Sequence, residues 1–245
     1  MRQNLARERP FTHVHVLLFV QTLVVILVSL NRLGTWTLSY VAPNQFLRWV
    51  DFINMLPLPI ISVIAFYLLK QRLERNPASG AASQTPSLIL NLTFLVGVYL
   101  LGVNYGDHEV TNYLHIRFCL SDTQSDLCRI IIYNDDEFSH YVFFTGFVMV
   151  NTAIMMIQAR HPFAQPARRS DLVPVAVNAI FIALGIFANL GFEEIGLDLY
   201  VVALLAVIAL TLLFRHGAQP IIVYYAIAYG MGLIATFVYK GFSFV

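Results

Sequence analysis

Charged residues are scarce in this sequence. They make up 12% of its 245 residues, whereas hydrophobic residues make up 58%, and the mean hydropathy is +0.69. Soluble globular domains have about 25% charged and about 45–50% apolar residues. The composition therefore excludes an ordinary soluble domain and indicates an integral membrane protein. The net charge is +1 and no basic stripe lies outside the short loops, so we expect no nucleic-acid partner.

Three further absences narrow the architecture. The sequence has no cysteine pair with the C-x2-C spacing of a zinc site, and no internal repeat of the kind that builds many transporters. No small-residue cleavage site follows the apolar run after MRQNLARERP, so we expect that run to be kept as the first span. The apolar runs are also too long and too uniform for the alternating strands of an outer-membrane barrel.

Seven segments are long and apolar enough to cross a membrane as helices, because a spanning helix needs about 20 mostly apolar residues. They are residues 12–31, 46–69, 87–106, 138–158, 172–190, 195–214 and 219–239. We therefore predict an all-α fold, a polytopic membrane helix bundle with seven transmembrane helices that forms a single domain over residues 1–245. Membrane lipid is the partner that such a bundle implies.

Basic and acidic residues alternate along the connections between these spans. The N-terminus, the linkers 70–87 and 159–171 and the last connection carry arginine or lysine, whereas 105–137 and 191–198 are acidic. Basic residues in short loops stay in the cytoplasm. We therefore predict a cytoplasmic N-terminus, an extracytoplasmic C-terminus and an extracytoplasmic loop over 105–137.

The only two cysteines of the chain both fall in that predicted outer loop. Cys119 and Cys128 are nine residues apart, and the charge pattern places them in a compartment where thiols oxidise. We expect them to form a disulfide, which contributes on the order of 2–3 kcal/mol when it closes a short loop. Two free thiols are the alternative.

Histidine and acidic residues gather at the predicted outer ends of the spans. If the third span continues as a helix, His108 and His115 share one face and Asn112 lies close to it. Asp136 and His140 are one helical turn apart in the fourth span, a spacing at which a carboxylate and an imidazole can share a metal or a proton. His140 lies within a span, where an ionisable side chain is expensive and usually functional.

This pattern predicts a site that handles metal or protons at the outer membrane boundary. The predicted catalytic side chains, which would shuttle protons, are His115 and His108, with Asn112 beside them. Asp135 and Glu137 are interpreted as solvated residues or helix caps, because acids favour helix N-termini. The predicted ligands of a divalent metal are Glu109, Asp136, His140, Glu193 and Glu194.

The same stretch resembles a known family. The strings NYGDHEV (104–110), YNDDEFSH leading to TGF (133–147) and FEE after the fifth span resemble the YjdF-like family of bacterial inner-membrane proteins. The resemblance covers about the third to the sixth span and implies a multi-pass protein of the bacterial inner (cytoplasmic) membrane, without implying a reaction. In this chain the spacing from His140 to Gly146 is longer and the cysteine loop looks inserted. The matching positions are Tyr105, Glu109, Val110, Asp136, His140, Gly146, Phe147 and one of Glu193 and Glu194.

A second resemblance concerns fewer residues. Asp136 with His140, together with His115, is similar to the outward-facing metal site in the C subunit of copper-dependent membrane monooxygenases. The order and spacing of the ligands differ from that family. This resemblance implies copper instead of zinc and a place in a larger membrane complex.

Three functions remain open at this point. The first is a membrane-embedded, metal-dependent hydrolase that activates water, as zinc does, against a lipid or another amphipathic substrate. The second is a proton- or cation-coupled transporter, although few polar residues continue toward the cytoplasmic side. The third is a membrane subunit of a larger complex, such as a copper-dependent monooxygenase, that packs on other subunits or on a second copy of itself.

Overall fold

The structure, a computed structural model, is built from helices. It describes residues 11–75, 87–163, 167–192 and 196–243. Within these ranges the only strand-like pairing is an isolated antiparallel bridge between Tyr40 and Arg48. Seven helical segments are long and apolar enough to cross a membrane. The prediction of an all-α bundle with seven spans is therefore confirmed, as far as length and composition define a span.

The described ranges contain nine α-helices, some of which join into one span. α4 continues directly into a π-helical turn, His115–Cys119, and α5 reaches α6 through a second one, Asn134–Phe138. The nine helices are α1 (Thr12–Leu33), α2 (Trp49–Met55), α3 (Pro57–Glu74), α4 (Leu88–Leu114), α5 (Asp126–Tyr133), α6 (Ser139–Arg160), α7 (Arg169–Phe192), α8 (Leu197–His216) and α9 (Pro220–Ser243).

The second span is divided between α2 and α3. Leu56 leaves helical geometry, with φ −120° and ψ −73°. Pro57 then takes the first position of α3, where the missing N–H of proline is harmless because the first-turn N–H groups have no partner within the helix. Leu56 N still donates to Phe52 O at 3.1 Å, so the two helices remain parts of one span.

The predicted outer loop 105–137 is the main difference between expectation and structure. The helix that begins with α4 runs on to Cys119, and α5 begins at Asp126, so residues 120–125 form the connection. The acidic residues that suggested a loop lie partly in contacts between helices, since Glu109 and Asp135 are buried. In this protein, the polar residues Glu109 and Asp135 mark contacts between helices, and they do not mark the end of a helix.

The predicted linkers are shorter than expected. α3 continues to Glu74, where Lys70 Nζ pairs with Glu74 Oε2 at 2.8 Å across the last turn, and residues 76–86 lie outside the described ranges. The connection predicted at 159–171 runs from 161 to 168, and its residues 164–166 are outside the description.

The disulfide is confirmed. Cys119 and Cys128 are bonded at 2.06 Å, with their Cα atoms 5.4 Å apart. The bond joins the end of the first π-helical turn to α5, and both cysteines are buried against Ile131. It therefore ties the ends of the third and fourth spans together.

The two most extensive helix pairs in the described part of the chain are α4 with α6 and α7 with α9. A Cβ added at Gly146 would lie 2.8 Å from Gly97 O, and one added at Gly97 would lie 2.9 Å from Val150 Cγ2. Two glycines thus let the backbones approach closely, as small residues do in membrane helix pairs. This contact brings the polar ends of α4 and α6 together.

Candidate metal centre

Asp135 is the residue on which the polar side chains of α4 converge. It lies in the second π-helical turn, and its side chain is only 1% exposed. His115 Nδ1 lies 2.9 Å from Oδ2, and His108 Nδ1 lies 3.0 Å from Oδ1. Asn112 Nδ2 donates to Oδ2 at 3.4 Å. The three residues that were predicted to share a face of the third span therefore meet at one carboxylate.

The tautomers of the two rings follow from this geometry. His115 Nδ1 faces the carboxylate oxygen Oδ2 of Asp135, and His108 Nδ1 faces the main-chain oxygen of Asp135 at 3.3 Å. Both oxygens only accept hydrogen bonds, so the Nδ1 atom of each neutral ring carries the hydrogen. The Nε2 atom of His108 is then free of hydrogen and can accept a proton. At His115, a metal held together with Asp135 would take the place of the Nδ1 hydrogen.

The two π-helical turns set the direction of these side chains. Hydrogen bonds in a π turn join residues five apart, so the residues beyond it are rotated relative to a continuous α-helix. His115 begins one such turn, and Asp135 and Asp136 lie in the other. Ser139 Oγ donates to Asp135 O at 2.6 Å, and this buried hydrogen bond stabilises the second π-helical turn. Asp135 consequently points into the bundle while Asp136 is exposed.

His115, Asp135 and Asp136 form a group that can hold a metal ion. One ligand atom from each lies within 4.8 Å of those of the other two. Imidazole nitrogen and carboxylate oxygen are the ligands that zinc takes at about 2.0–2.2 Å. Three protein ligands leave a fourth position for water or substrate, which is the arrangement of catalytic zinc sites. Because His115 is partly exposed and Asp136 is exposed, an ion held by these residues would be accessible from the protein surface.

Two of the predicted ligands lie apart from this group of three. His140 is exposed, and its ring lies 5.4 Å from the ring of His108 and 6.3 Å from that of Phe144, measured between centroids. Glu109 faces α1, where Arg32 Nη2 donates to Glu109 Oε1. A buried carboxylate needs a charged partner, and the guanidinium supplies it. Glu109 is therefore committed to α1, and it lies on a different face of α4 from His108, because adjacent residues of a helix point about 100° apart.

Glu193 and Glu194 lie outside the described residues, so their predicted role as ligands stays a prediction. Asp136 keeps its predicted role as a member of the candidate ligand set. His115 joins that set, although its predicted role was proton transfer. His108 and Asn112 lie beside the set, in contact with Asp135.

Asp135 is the residue that sequence reasoning missed. Its neighbour Asp136 was preferred because it lies four residues before His140. The signal that would have found Asp135 is the buried stripe of α6, which contains Ser139, Gly146 and Val150. When that stripe is extended one turn backwards at helical spacing, it reaches Asp135 and not Asp136.

A further ion pair lies at the beginning of α2. Arg48 donates to both oxygens of Asp51, at 2.8 and 2.7 Å, and these hydrogen bonds raise the pKa of the Arg48 guanidinium. Asn31 Nδ2 donates to Asn54 Oδ1 at 2.8 Å in the same region. By contrast, the ion pairs that Asp135 makes within the described residues are with histidines. Its charge is therefore available to a bound cation.

No family model, no curated protein and no solved structure matches the chain. The function is accordingly inferred from the geometry of the site itself.

Proposed function

We propose that the protein is a multi-pass membrane protein with a divalent metal site at one end of its bundle, and that this site catalyses hydrolysis. The observation that carries the proposal is the convergence of His108, Asn112 and His115 on Asp135, with Asp136 within ligand distance of the group. Ionisable groups at the ends of membrane spans are expensive and usually functional. A cation held between two carboxylates would offset the repulsion between them.

Each side chain has a role in this proposal. His115, Asp135 and Asp136 would hold the metal, and a bound metal would supply Lewis-acid activation of a water molecule, whose pKa it lowers to about 7. His108 is held with Nδ1 on Asp135, so its Nε2 can take up the proton of the attacking water and return it to the leaving group. Asn112 orients the carboxylate of Asp135. Zinc suits these ligands, and copper is the alternative that the second resemblance implies.

The proposed location is the bacterial inner membrane, with the site on the extracytoplasmic side. The lysine–glutamate pair at the end of α3 and Arg160 at the end of α6 lie at the opposite end of the bundle from Asp135. Basic ends favour the cytoplasm. The disulfide lies at the end that carries the site, which suits an oxidising compartment.

The proposed substrate is a lipid or another amphipathic molecule. Large apolar side chains are exposed around the candidate ligands, among them Ile116, Phe118, Phe138 and Tyr141. A substrate that lies partly in the bilayer would reach the metal along this surface. Toward the opposite end, the close approach at Gly97 and Gly146 fills the space between α4 and α6. This geometry favours a surface reaction over transport.

The experiment that tests the metal site is elemental analysis of the purified protein after incubation with zinc. We expect stoichiometric zinc in the wild type and its loss in Asp135→Asn and His115→Ala, because each change removes a proposed ligand. Loss of one ligand or of its supporting partner lowers metal affinity about 10–100-fold or more.

The matched control is Asp126→Asn. Asp126 is an exposed carboxylate at the same end of the bundle, and its nearest ion pair, to Arg129, is 3.8 Å long. It should keep the full zinc content. A wild type that holds no metal at all, or equal loss in Asp126→Asn, would overturn the proposal. Hydrolysis of lipid in vesicles, present in wild type and absent in His108→Ala that still binds zinc, tests the reaction separately.

A further inference from the structure

The segment between α1 and α2 contains no charged residue. Residues 34–47 lie between Arg32 and Arg48, and none of them is aspartate, glutamate, lysine or arginine. The segment nevertheless displays large apolar side chains, with Trp36 94% and Phe46 72% exposed. Connections on a water-facing surface are normally polar, so this composition calls for a partner that accepts apolar side chains.

The segment folds as a hairpin whose backbone groups bond to one another. Val41 N donates to Leu47 O at 2.8 Å, Trp49 N to Ser39 O at 3.0 Å, and Val50 N to Thr37 O at 2.8 Å. Gln45 makes the turn with φ 60°. Backbone groups that are paired internally tolerate removal from water, which unpaired ones do not.

The hairpin is held against α4 next to the candidate metal centre. Tyr113 Oη donates to Gln45 O at 2.6 Å, and Arg117 donates to the same carbonyl. The guanidinium of Arg48 lies 5.2 Å from the centroid of the Tyr113 ring. Tyr113 and Arg117 lie two residues before and after His115. The hairpin therefore has a fixed position beside the site.

The depth of the hairpin follows from the length of α1. With 22 residues, α1 spans about 33 Å, and the hydrocarbon core of a bilayer is about 30 Å thick. The exposed face of α1 continues through Leu27, Leu30 and Leu33, three residues apart, directly to Trp36. The apolar surface of the hairpin is thus continuous with the surface that α1 turns to lipid. The hairpin begins where the hydrocarbon ends, the depth at which tryptophan and tyrosine are enriched.

We infer that the hairpin 34–47 lies in the interfacial layer of the lipid bilayer at the end of the bundle that carries Asp135, with Trp36 and Phe46 inserted among the lipids. The partner is the membrane surface and not water or a second protein. This inference does not depend on the proposed metal or its reaction. The hairpin would then border the candidate metal centre on the membrane side, where Gln45 O accepts hydrogen bonds from Tyr113 and Arg117.

The chain offers a direct test because it has only two tryptophans, Trp36 and Trp49. In Trp49→Phe, reconstituted in phosphatidylcholine vesicles, Trp36 is the only tryptophan. We expect its emission to be quenched by lipids with brominated acyl chains, most strongly when the bromines are nearest the headgroup. Iodide in the water phase should have little effect.

The converse variant Trp36→Phe is the matched control. If Trp49→Phe does not fold, the difference between the emission of the wild type and of Trp36→Phe reports Trp36 instead. Quenching by iodide without quenching by brominated lipid would place the hairpin in water. Quenching by neither would mean that protein covers it. Either result overturns the inference.

Discussion

Two buried carboxylates at the same end of α4, Glu109 on the helix and Asp135 facing it, have different partners. Glu109 faces α1 and is paired with Arg32, a group that stays charged at every accessible pH. Asp135 faces α4 from the second π-helical turn and is paired with His108 and His115. The adjacent residues His108 and Glu109 of one helix thus contact different neighbours.

The difference between these partners separates a carboxylate that stabilises the packing of two helices from one that can take part in binding a ligand. A carboxylate paired with a guanidinium has its charge balanced permanently and has no need of another cation. A carboxylate paired with neutral imidazoles keeps its negative charge, and the rings keep an open nitrogen. Asp135 can therefore bind a metal, and Glu109 holds α1 to α4.

The largest expected effect comes from removing the guanidinium. Arg32→Ala leaves the Glu109 carboxylate buried without its partner, so we expect the free energy of unfolding to fall by about 3 kcal/mol. Thermal unfolding in detergent micelles measures this loss. The zinc content of the folded protein should not change, because Arg32 pairs with Glu109, which is not a member of the group His115, Asp135 and Asp136.

The companion variant for this prediction is Arg32→Ala combined with Glu109→Gln, which removes the unpaired charge as well. It should be more stable than Arg32→Ala alone. If Arg32→Ala loses zinc while it remains folded, the two carboxylates are not independent and the comparison fails.

A somewhat smaller effect is expected from the disulfide. Replacing Cys119 and Cys128 by serine together should lower the free energy of unfolding by about 2–3 kcal/mol, because the unfolded chain gains freedom in a short loop. Urea unfolding in micelles is the measurement. Zinc affinity should also fall, since the bond fixes the end of the π-helical turn that His115 begins. Unchanged zinc affinity would show that the disulfide does not hold the site.

The smallest effect concerns the hydroxyl inside the second π-helical turn. Ser139→Ala removes the hydrogen bond from Ser139 Oγ to Asp135 O, and we expect a loss of about 1 kcal/mol in the free energy of unfolding. Thr145→Ala is the matched control, because Thr145 donates to its own helix in the same way but is exposed. If both variants lose the same stability, the buried bond has no special role.

The residue types of the site were predictable from the sequence, but their partners were not. His108, Asn112 and His115 were correctly placed on one face because they follow helical spacing along α4. Glu109 was assigned to the metal because nothing local indicates that Arg32, 77 residues earlier, will lie against it. Asp136 was preferred to Asp135 because a continuous α-helix was assumed where the structure has a π-helical turn.

By itself, the sequence determined that the chain forms seven helices long and apolar enough to cross a membrane, because runs of about 20 apolar residues have few alternatives to spanning a bilayer. It also predicted the disulfide, which the structure confirms, because the only two cysteines fall in one connection that the charge pattern assigns to an oxidising compartment. Only the tertiary structure decided that Asp135 is paired with histidines and Glu109 with arginine. Those choices depend on the rotation of each helix and on which helices touch, and both are set by packing between distant segments, such as the contact at Gly97 and Gly146.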